Sequence, residues 1–193
     1  MRDGSRGKPA TRRMLLARRD GMAEPLRVDA SARIAERATQ LVTEHLAPGA
    51  IVALYAAKAS EVDPAAIDRA ARAAGLRVAY PRVVESDRVL AFHAAQRAEL
   101  ITTRFGLFEP NPTSPTVAVD AIAAFVVPGI AFDRAGGRIG WGRGHYDATF
   151  ALARPDALRI GLAFECQLVE HVPREAHDAS LHFIVTEDAT YVV

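Results

Sequence analysis

Short runs of consecutive apolar residues alternate along the chain with longer segments in which apolar residues recur every three or four positions. The runs at 50–55 and 123–127 contain no charged side chain, which is typical of strands that are covered on both faces. Shorter, mainly apolar stretches predict further strands at 76–80, where Pro81 ends the strand, and at 89–92, 158–164 and 183–186. The pattern therefore predicts a sheet whose central strands are buried.

Helical segments lie between these strands, and turn residues mark their ends. We predict helices over residues 12–19, from 29 or 31 to 46, 64–74 and 145–153. The proline-rich stretch at 106–116 is predicted to be a loop. The alternation indicates an α/β fold, a single domain over residues 1–193 with a mostly parallel sheet and helices on both faces. Ligands of such folds usually sit beyond the carboxyl ends of the strands.

Composition limits the class of protein without naming it. The 193 residues carry a net charge of +1, and the chain lacks both a secretory apolar segment and the roughly 20-residue apolar run of a membrane span. Its one cysteine, Cys166, excludes an internal disulfide, and Cys and His do not cluster at zinc spacing. We therefore expect a cytoplasmic protein, a monomer with no membrane contact.

Positive charge concentrates at the N-terminus. Residues 1–20 hold seven Arg or Lys side chains against two Asp, a local balance of +5 that leaves −4 on the remainder. Such an arm could contact nucleic acid, could bring cations to a phosphate-bearing ligand, or could be only a solvated terminus. Because the arm lacks aromatic residues that could stack on bases, we expect no nucleic acid partner.

A glycine-rich segment between the strand at 123–127 and the helix at 145–153 carries the clearest chemical signal. It contains Gly136, Gly137, Gly140, Gly142 and Gly144. Glycines let backbone N–H groups approach an anion, and the start of the next helix adds free N–H donors. The segment matches neither the P-loop nor the dinucleotide pattern, and a plain surface loop is the alternative.

Charged side chains in the same segment favour a phosphate site over a plain loop. Arg138 and Arg143 supply donors for phosphate oxygens, and Asp147 is an oxygen ligand suited to magnesium.

Two stretches resemble the signature of the 5-formyltetrahydrofolate cyclo-ligase family. PGIAFD at 128–133 fits its pattern P-G-[LIV]-[AG]-F-D, and GRIGWGRGHYD at 137–147 fits G-x-R-[LI]-G-x-G-x-G-[YH]-Y-D from the second position of that pattern onward. The resemblance extends over almost the whole chain. Its further matches are Lys8 with Arg12, residues 55–63, Gly75 with Pro81 and Arg82, Phe105 to Pro110, residues 162–167, and His177 and Asp178 with residues 185–187.

The resemblance implies an ATP- and magnesium-dependent enzyme that closes 5-formyltetrahydrofolate to 5,10-methenyltetrahydrofolate through a phosphorylated formyl group. It implies layers like those of the Rossmann-like sugar isomerases and coenzyme A transferases. Catalytic roles are implied for Arg138, Arg143 and Tyr146, substrate contacts for Tyr55, Glu61 and Tyr146, and magnesium binding for Asp147. The implied ATP-binding residues are Lys8, Arg12, Gly137, Arg138, Ile139, Gly140, Trp141, Gly142, Arg143, Gly144 and His145.

Several residues depart from the family pattern or have a plain structural alternative. Pro9 lies where a regular helix usually begins, His145 replaces the commoner tyrosine, and His182 stands where an aspartate is frequent. The negative charge of Glu61 could only stabilise the positive N-terminal end of the next helix. Asp133 could hold the glycine segment through backbone N–H groups.

Three other functions remain open at this point. One is a kinase or ligase of the same family acting on another small molecule. The others are a non-catalytic folate- or nucleotide-binding regulator and an RNA-associated protein that uses the basic arm.

Overall fold

The computed structural model describes residues 7–103, 106–175 and 178–193. Arg2, Arg6, Phe105 and His177 therefore lie outside the described residues. The helices are α1 Gly7–Asp20, α2 Glu24–His45, α3 Ala65–Ala73 and α4 His145–Phe150. The strands are β1 Ile51–Ala53, β2 Arg77–Arg82, β3 Ala91–Ala94, β4 Ile101–Thr102, β5 Phe108–Glu109, β6 Thr116–Val117, β7 Ile122–Val127, β8 Ala131–Asp133, β9 Arg138–Ile139, β10 Leu158–Leu162, β11 Leu168–Val169, β12 Phe183–Val185 and β13 Thr190–Val192.

The first two helices begin earlier than the sequence pattern predicted. Helix α1 starts at Gly7 rather than Arg12, and α2 starts at Glu24 rather than at residue 29 or 31. A proline lies in the first turn of each helix, Pro9 and Pro25, where the missing N–H has no intrahelical partner to lose. Both prolines are therefore compatible with the earlier helix starts. At the other end of the chain, α4 is shorter than predicted and ends at Phe150.

The strand predictions need corrections at β2 and in the proline-rich loop. Strand β2 continues through Pro81 to Arg82, whereas the sequence pattern ended it at residue 80. The parallel pairing of β2 with β1 stops at Ala79, so the absent N–H of Pro81 breaks no bond on that side. The predicted loop at 106–116 includes β5, which pairs antiparallel with β4.

Within the described residues, eight strands form one sheet in the order β13-β12-β10-β7-β1-β2-β3-β6. Strands β12, β10, β7, β1 and β2 pair in parallel, and β13, β3 and β6 join antiparallel at the two edges. The prediction of an α/β fold with a mostly parallel sheet is therefore confirmed.

Both faces of the sheet are covered. In β7, Ala124 and Val126 pack in the cluster that contains α2 and α3, whereas Phe125 and Val127 pack in the cluster that contains Phe150 of α4. This two-residue alternation explains why the strand reads as a continuous apolar run. None of the described helices combines the length and apolar character that crossing a bilayer requires.

A second sheet of three short strands, β11-β8-β9, connects α1 to the glycine-rich segment. Leu15 of α1 packs with Ile130 and Val172 in a small cluster on this sheet. Beside it, the ring of Phe132 fills the space next to Gly161, where an added Cβ would lie 2.7 Å from a ring carbon, and it crowds Gly129 similarly. This packing brings the N-terminal helix and the glycine-rich segment to the same end of the main sheet.

Candidate active site

A cavity of about 650 Å³ opens beyond the carboxyl ends of β1 and β7, where a parallel sheet was expected to hold its ligand. Its wall combines α1, the segment that follows β1, the β4–β5 hairpin and the glycine-rich segment before α4. The structure brings together all but one of the predicted site residues in this wall: Lys8, Arg12, Tyr55, Glu61, Arg138, Ile139, Gly140, Trp141, Gly142, Arg143, Gly144, His145, Tyr146 and Asp147.

Gly137 is the exception and does not line the cavity. Its N–H donates to Oδ1 of Asp133 at 2.7 Å, so the predicted role of this N–H in holding ATP does not fit the geometry. Asp133 is 1% exposed and also accepts hydrogen bonds from Ala135, Val172 and Arg174. These contacts support the structural role considered for Asp133, since its carboxylate holds the start of the glycine-rich segment.

Arg138 is a largely buried cation of the cavity wall. Its side chain is 7% exposed, and its Nη2 lies 3.7 Å from Oδ2 of Asp147. Its Nη1 donates to the Pro128 carbonyl at 3.4 Å, and the guanidinium carbon lies 5.1 Å from the centre of the Tyr146 ring. Burial lowers the pKa of Arg138, and the nearby Asp147 opposes that effect. The guanidinium therefore stays charged and fixed, as anion recognition requires.

The two cavity tyrosines offer different groups to a ligand. The hydroxyl of Tyr55 donates to the Val62 carbonyl at 2.6 Å, which leaves its ring as the surface available to the cavity. Burial raises the pKa of both Tyr55 and Tyr146, so both hydroxyls are neutral at physiological pH. Tyr146 lies between Arg138 and Phe150, which fix its ring.

Glu61 is a buried carboxylate at the edge of the cavity, with 8% of its surface exposed. Its Oε2 accepts the backbone N–H of Lys58 at 3.0 Å, and its Oε1 accepts the indole N–H of Trp141 at 3.2 Å. Burial raises the pKa of Glu61, while these two hydrogen bonds and the charge of Arg19 oppose the rise. The carboxylate of Glu61 lines the cavity and is bound by Lys58 and Trp141. An interaction with the start of a helix therefore does not explain its position.

The cations of α1 reach the cavity from the opposite side. Nζ of Lys8 forms ion pairs with Glu175 at 3.2 Å and Asp178 at 2.8 Å. Nε of Arg12 donates to the Gly140 carbonyl at 2.9 Å. The neighbouring Arg13 is exposed and does not line the cavity.

The residues between Gly140 and α4 adopt backbone conformations that require glycine. Gly142 and Gly144 have φ angles of +90° and +68°, and Gly144 is the residue that precedes the first turn of α4. Arg143 is exposed at the cavity rim, and Nδ1 of His145 is hydrogen-bonded to the Arg88 carbonyl at 2.8 Å.

Asp147 is the predicted magnesium ligand. Its Oδ1 accepts the Ala179 N–H at 3.3 Å, and its Oδ2 faces Arg138. Among residues 7–103, 106–175 and 178–193, no group of three or more His, Cys, Asp or Glu side chains is arranged to hold a metal ion. One carboxylate fits the usual mode for magnesium, which keeps several waters and takes its other ligands from nucleotide phosphates.

Some residues of the site were not identified from the sequence. Lys58, Arg88, Phe108, Glu175 and Asp178 line the cavity. Arg19 is 1% exposed and donates to Ser60 at 2.9 Å and to the Gly129 carbonyl at 3.4 Å, which supports the turn next to Glu61. A signal for Arg19 was present, because Lys8, Arg12, Leu15 and Arg19 follow the three- and four-residue spacing of one helix face.

Taken together, the fold and the cavity define an α/β protein whose buried arginine, glycine-rich segment and buried acid face a common site. The family model for the 5-formyltetrahydrofolate cyclo-ligase family matches residues 4–187, and the chain belongs to that family.

Individual relatives carry the same family name. A 5-formyltetrahydrofolate cyclo-ligase from Mycolicibacterium smegmatis is 34% identical over 88 residues, which cover 45% of this chain and 45% of that protein. One from Escherichia coli K12 is 29% identical over 139 residues, covering 70% and 76%. The matched part thus spans about half of the first relative and three quarters of the second.

Solved structures support the fold. The 5,10-methenyltetrahydrofolate synthetase of Aquifex aeolicus superposes with a TM-score of 0.80 at 24% identity, covering 96% of this chain and 92% of that one. The synthetase of Mycoplasma pneumoniae gives 0.77 at 20% identity, covering 93% and 98%. Identities this low speak for the fold alone.

Proposed function

We propose that this protein is an ATP- and magnesium-dependent enzyme that cyclises 5-formyltetrahydrofolate to 5,10-methenyltetrahydrofolate, releasing ADP and phosphate. It would act on these small molecules as a cytoplasmic monomer. The observation that carries the proposal is that one cavity is lined by Lys8, Arg12, Arg138, the glycine-rich segment and Glu61. Membership of the family supports the proposed reaction. The cavity supports a common binding site for the two substrates.

The difficult part of this reaction is the departure of the formyl oxygen, because N10 cannot expel hydroxide from the N5-formyl group. Transfer of the γ-phosphoryl group of ATP to that oxygen forms a new O–P bond and breaks the bond to ADP. N10 then attacks the formyl carbon and loses its proton, and the C–O bond breaks with release of phosphate. Both steps require a fixed cation beside the phosphoryl group.

Arg138 fits that cationic role because it is buried, charged and held by Asp147, Pro128 and the Tyr146 ring. Arg143 and the cations of α1 can neutralise the remaining phosphate charge. Bound magnesium would supply further charge neutralisation, and Asp147 is the residue that would hold it. Tyr55 and Tyr146 would contact the folate, with Glu61 as its buried acidic partner. The presence of all three residues in the cavity wall supports these roles.

The proposal is tested by mixing the protein with 5-formyltetrahydrofolate, magnesium and ATP and following the ultraviolet absorbance of the methenyl product. We expect an ATP-dependent rise that is absent without protein. A folded protein that binds ATP but not the formyl substrate, and produces no rise, would instead be a ligase or kinase for another small molecule. Binding of both substrates without turnover would identify a regulator.

A further inference from the structure

Trp141 links the two sides of the cavity through contacts that the sequence pattern did not reveal. It lies in the glycine-rich segment, yet its indole N–H reaches Oε1 of Glu61 across 80 positions of sequence. Its side chain is half exposed and lines the cavity, and Nζ of Lys58 lies 5.9 Å from the ring centre. The ring therefore rests against the segment that follows β1, where the folate-side acid is located.

The same short peptide is fastened on its other side to α1. Nε of Arg12 donates to the carbonyl of Gly140, the residue before Trp141. A Cβ at Gly142, the residue after Trp141, would lie 3.1 Å from Nη2 of Arg12. A ligand that moves this peptide therefore also moves the indole that holds Glu61.

Glu61 has few other restraints on the oxygen that Trp141 contacts. Its Oε2 is held by the N–H of Lys58 within the same turn, whereas Oε1 has the indole as its hydrogen-bond donor. The other charged or titratable groups that face this acid are Arg19, the Lys58 ammonium, Tyr55 and Tyr146. Removing the indole N–H would leave a buried carboxylate oxygen free to reorient.

We propose that Trp141 is a positioning residue that couples the nucleotide and folate sides of the cavity by setting the orientation of Glu61. The inference rests on the proposed function, since it takes Arg12 as nucleotide-side and Glu61 as folate-side. ATP bound beside Arg12 stabilises the conformation of residues 140–142. The hydrogen bond from the Trp141 indole N–H then fixes the orientation of the Glu61 carboxylate. Each ligand then raises the affinity for the other by the same factor, as thermodynamic linkage requires.

The test measures the affinity for 5-formyltetrahydrofolate by calorimetry, with and without a non-hydrolysable ATP analogue and magnesium. In the wild-type protein we expect the analogue to raise folate affinity about 5- to 150-fold, the usual range of such coupling. Trp141→Phe keeps a ring but removes the N–H, and its coupling factor should fall to near 1. Trp141→His restores an N–H donor and should recover part of the coupling.

Tyr191→Phe is the matched control, because its hydroxyl donates to Glu165 at 2.9 Å and neither residue lines the cavity. Its coupling factor should equal that of the wild type. A Trp141→Phe protein that binds folate more weakly by the same factor with and without the analogue would overturn the proposal, and so would a wild-type factor of 1. A wild-type protein that binds no folate contradicts the proposed function instead.

Discussion

The buried carboxylate of Asp133 gives the sharpest prediction about the glycine-rich segment. Its oxygens accept four hydrogen bonds, at 2.7 Å from Gly137 and Val172, 3.0 Å from Arg174 and 3.1 Å from Ala135. Asp133→Asn keeps the shape but replaces one accepting oxygen with an amide that donates. At least one buried N–H then loses its acceptor, and the remaining hydrogen bonds are made to a neutral group instead of a charged one.

The size of the effect follows from these contacts. An unsatisfied buried donor costs about 1–3 kcal/mol, and hydrogen bonds to a charged group contribute more than neutral ones. We therefore expect Asp133→Asn to lower the free energy of unfolding by about 3 kcal/mol, which for a chain of this length shifts Tm by about 6–12 °C. Urea and thermal melts followed by circular dichroism measure both quantities.

The pH dependence of the same variant provides a second, independent check. Burial tends to raise the pKa of Asp133, but the N–H groups of Val172 and Gly137 and the charge of Arg174 outweigh burial, so its pKa is lowered. A carboxyl with a lowered pKa stabilises the fold above its unfolded pKa, near 3.9, and that contribution is lost as pH falls through the folded pKa. The stability difference between the wild type and Asp133→Asn should therefore narrow below about pH 4.

Asp156→Asn serves as the control, since this exposed carboxylate pairs with Arg154 outside the cavity. It should not change stability measurably. Equal melts for Asp133→Asn and Asp156→Asn would refute the reasoning, as would a difference that stays constant with falling pH.

Three further predictions concern the cavity and its supporting turn. Arg138→Ala should lower kcat/KM about 100- to 1000-fold, while Arg134→Ala, an exposed arginine outside the cavity, should leave turnover near the wild-type value in the absorbance assay. Gly136→Ala should lower stability in urea melts by about 2–3 kcal/mol, because φ is +82° and the new Cβ would lie 2.7 Å from a carbonyl oxygen. Gly106→Ala, at φ +65° with open space, should cost only about 1 kcal/mol; equal losses would contradict the steric argument. Trp141 is the sole tryptophan, so intrinsic fluorescence should change on titration with ATP or the formyl substrate, and an unchanged spectrum would place binding elsewhere.

The sequence was most informative where one local pattern determines structure. The continuous apolar runs predicted β1 and β7, because a strand with both faces covered lacks the alternating polar residues of a strand that has one face in solvent. The motif at 137–147 predicted the segment that forms the cavity wall before α4.

Elements that depend on distant partners could not be predicted in the same way. Strands β8 and β9 are only three and two residues long and exist through pairing within the small sheet. Likewise, the contact of Trp141 with Glu61 depends on how β1 and the glycine-rich segment meet in space. The hydrophobic periodicity of either segment alone cannot predict this contact between them.

The ring of Phe132 has a consequence for how this part of the fold can change over evolution. Because the ring occupies the space that a Cβ at Gly129 or Gly161 would need, neither glycine can be enlarged alone. A smaller residue at position 132 would have to come first or at the same time, and for Gly161 the Leu181 side chain, whose Cδ1 would lie 2.7 Å from the new Cβ, would also have to shift. Across homologous sequences, these three positions should therefore covary in size. A combinatorial library over them should yield folded variants mainly along compensated paths.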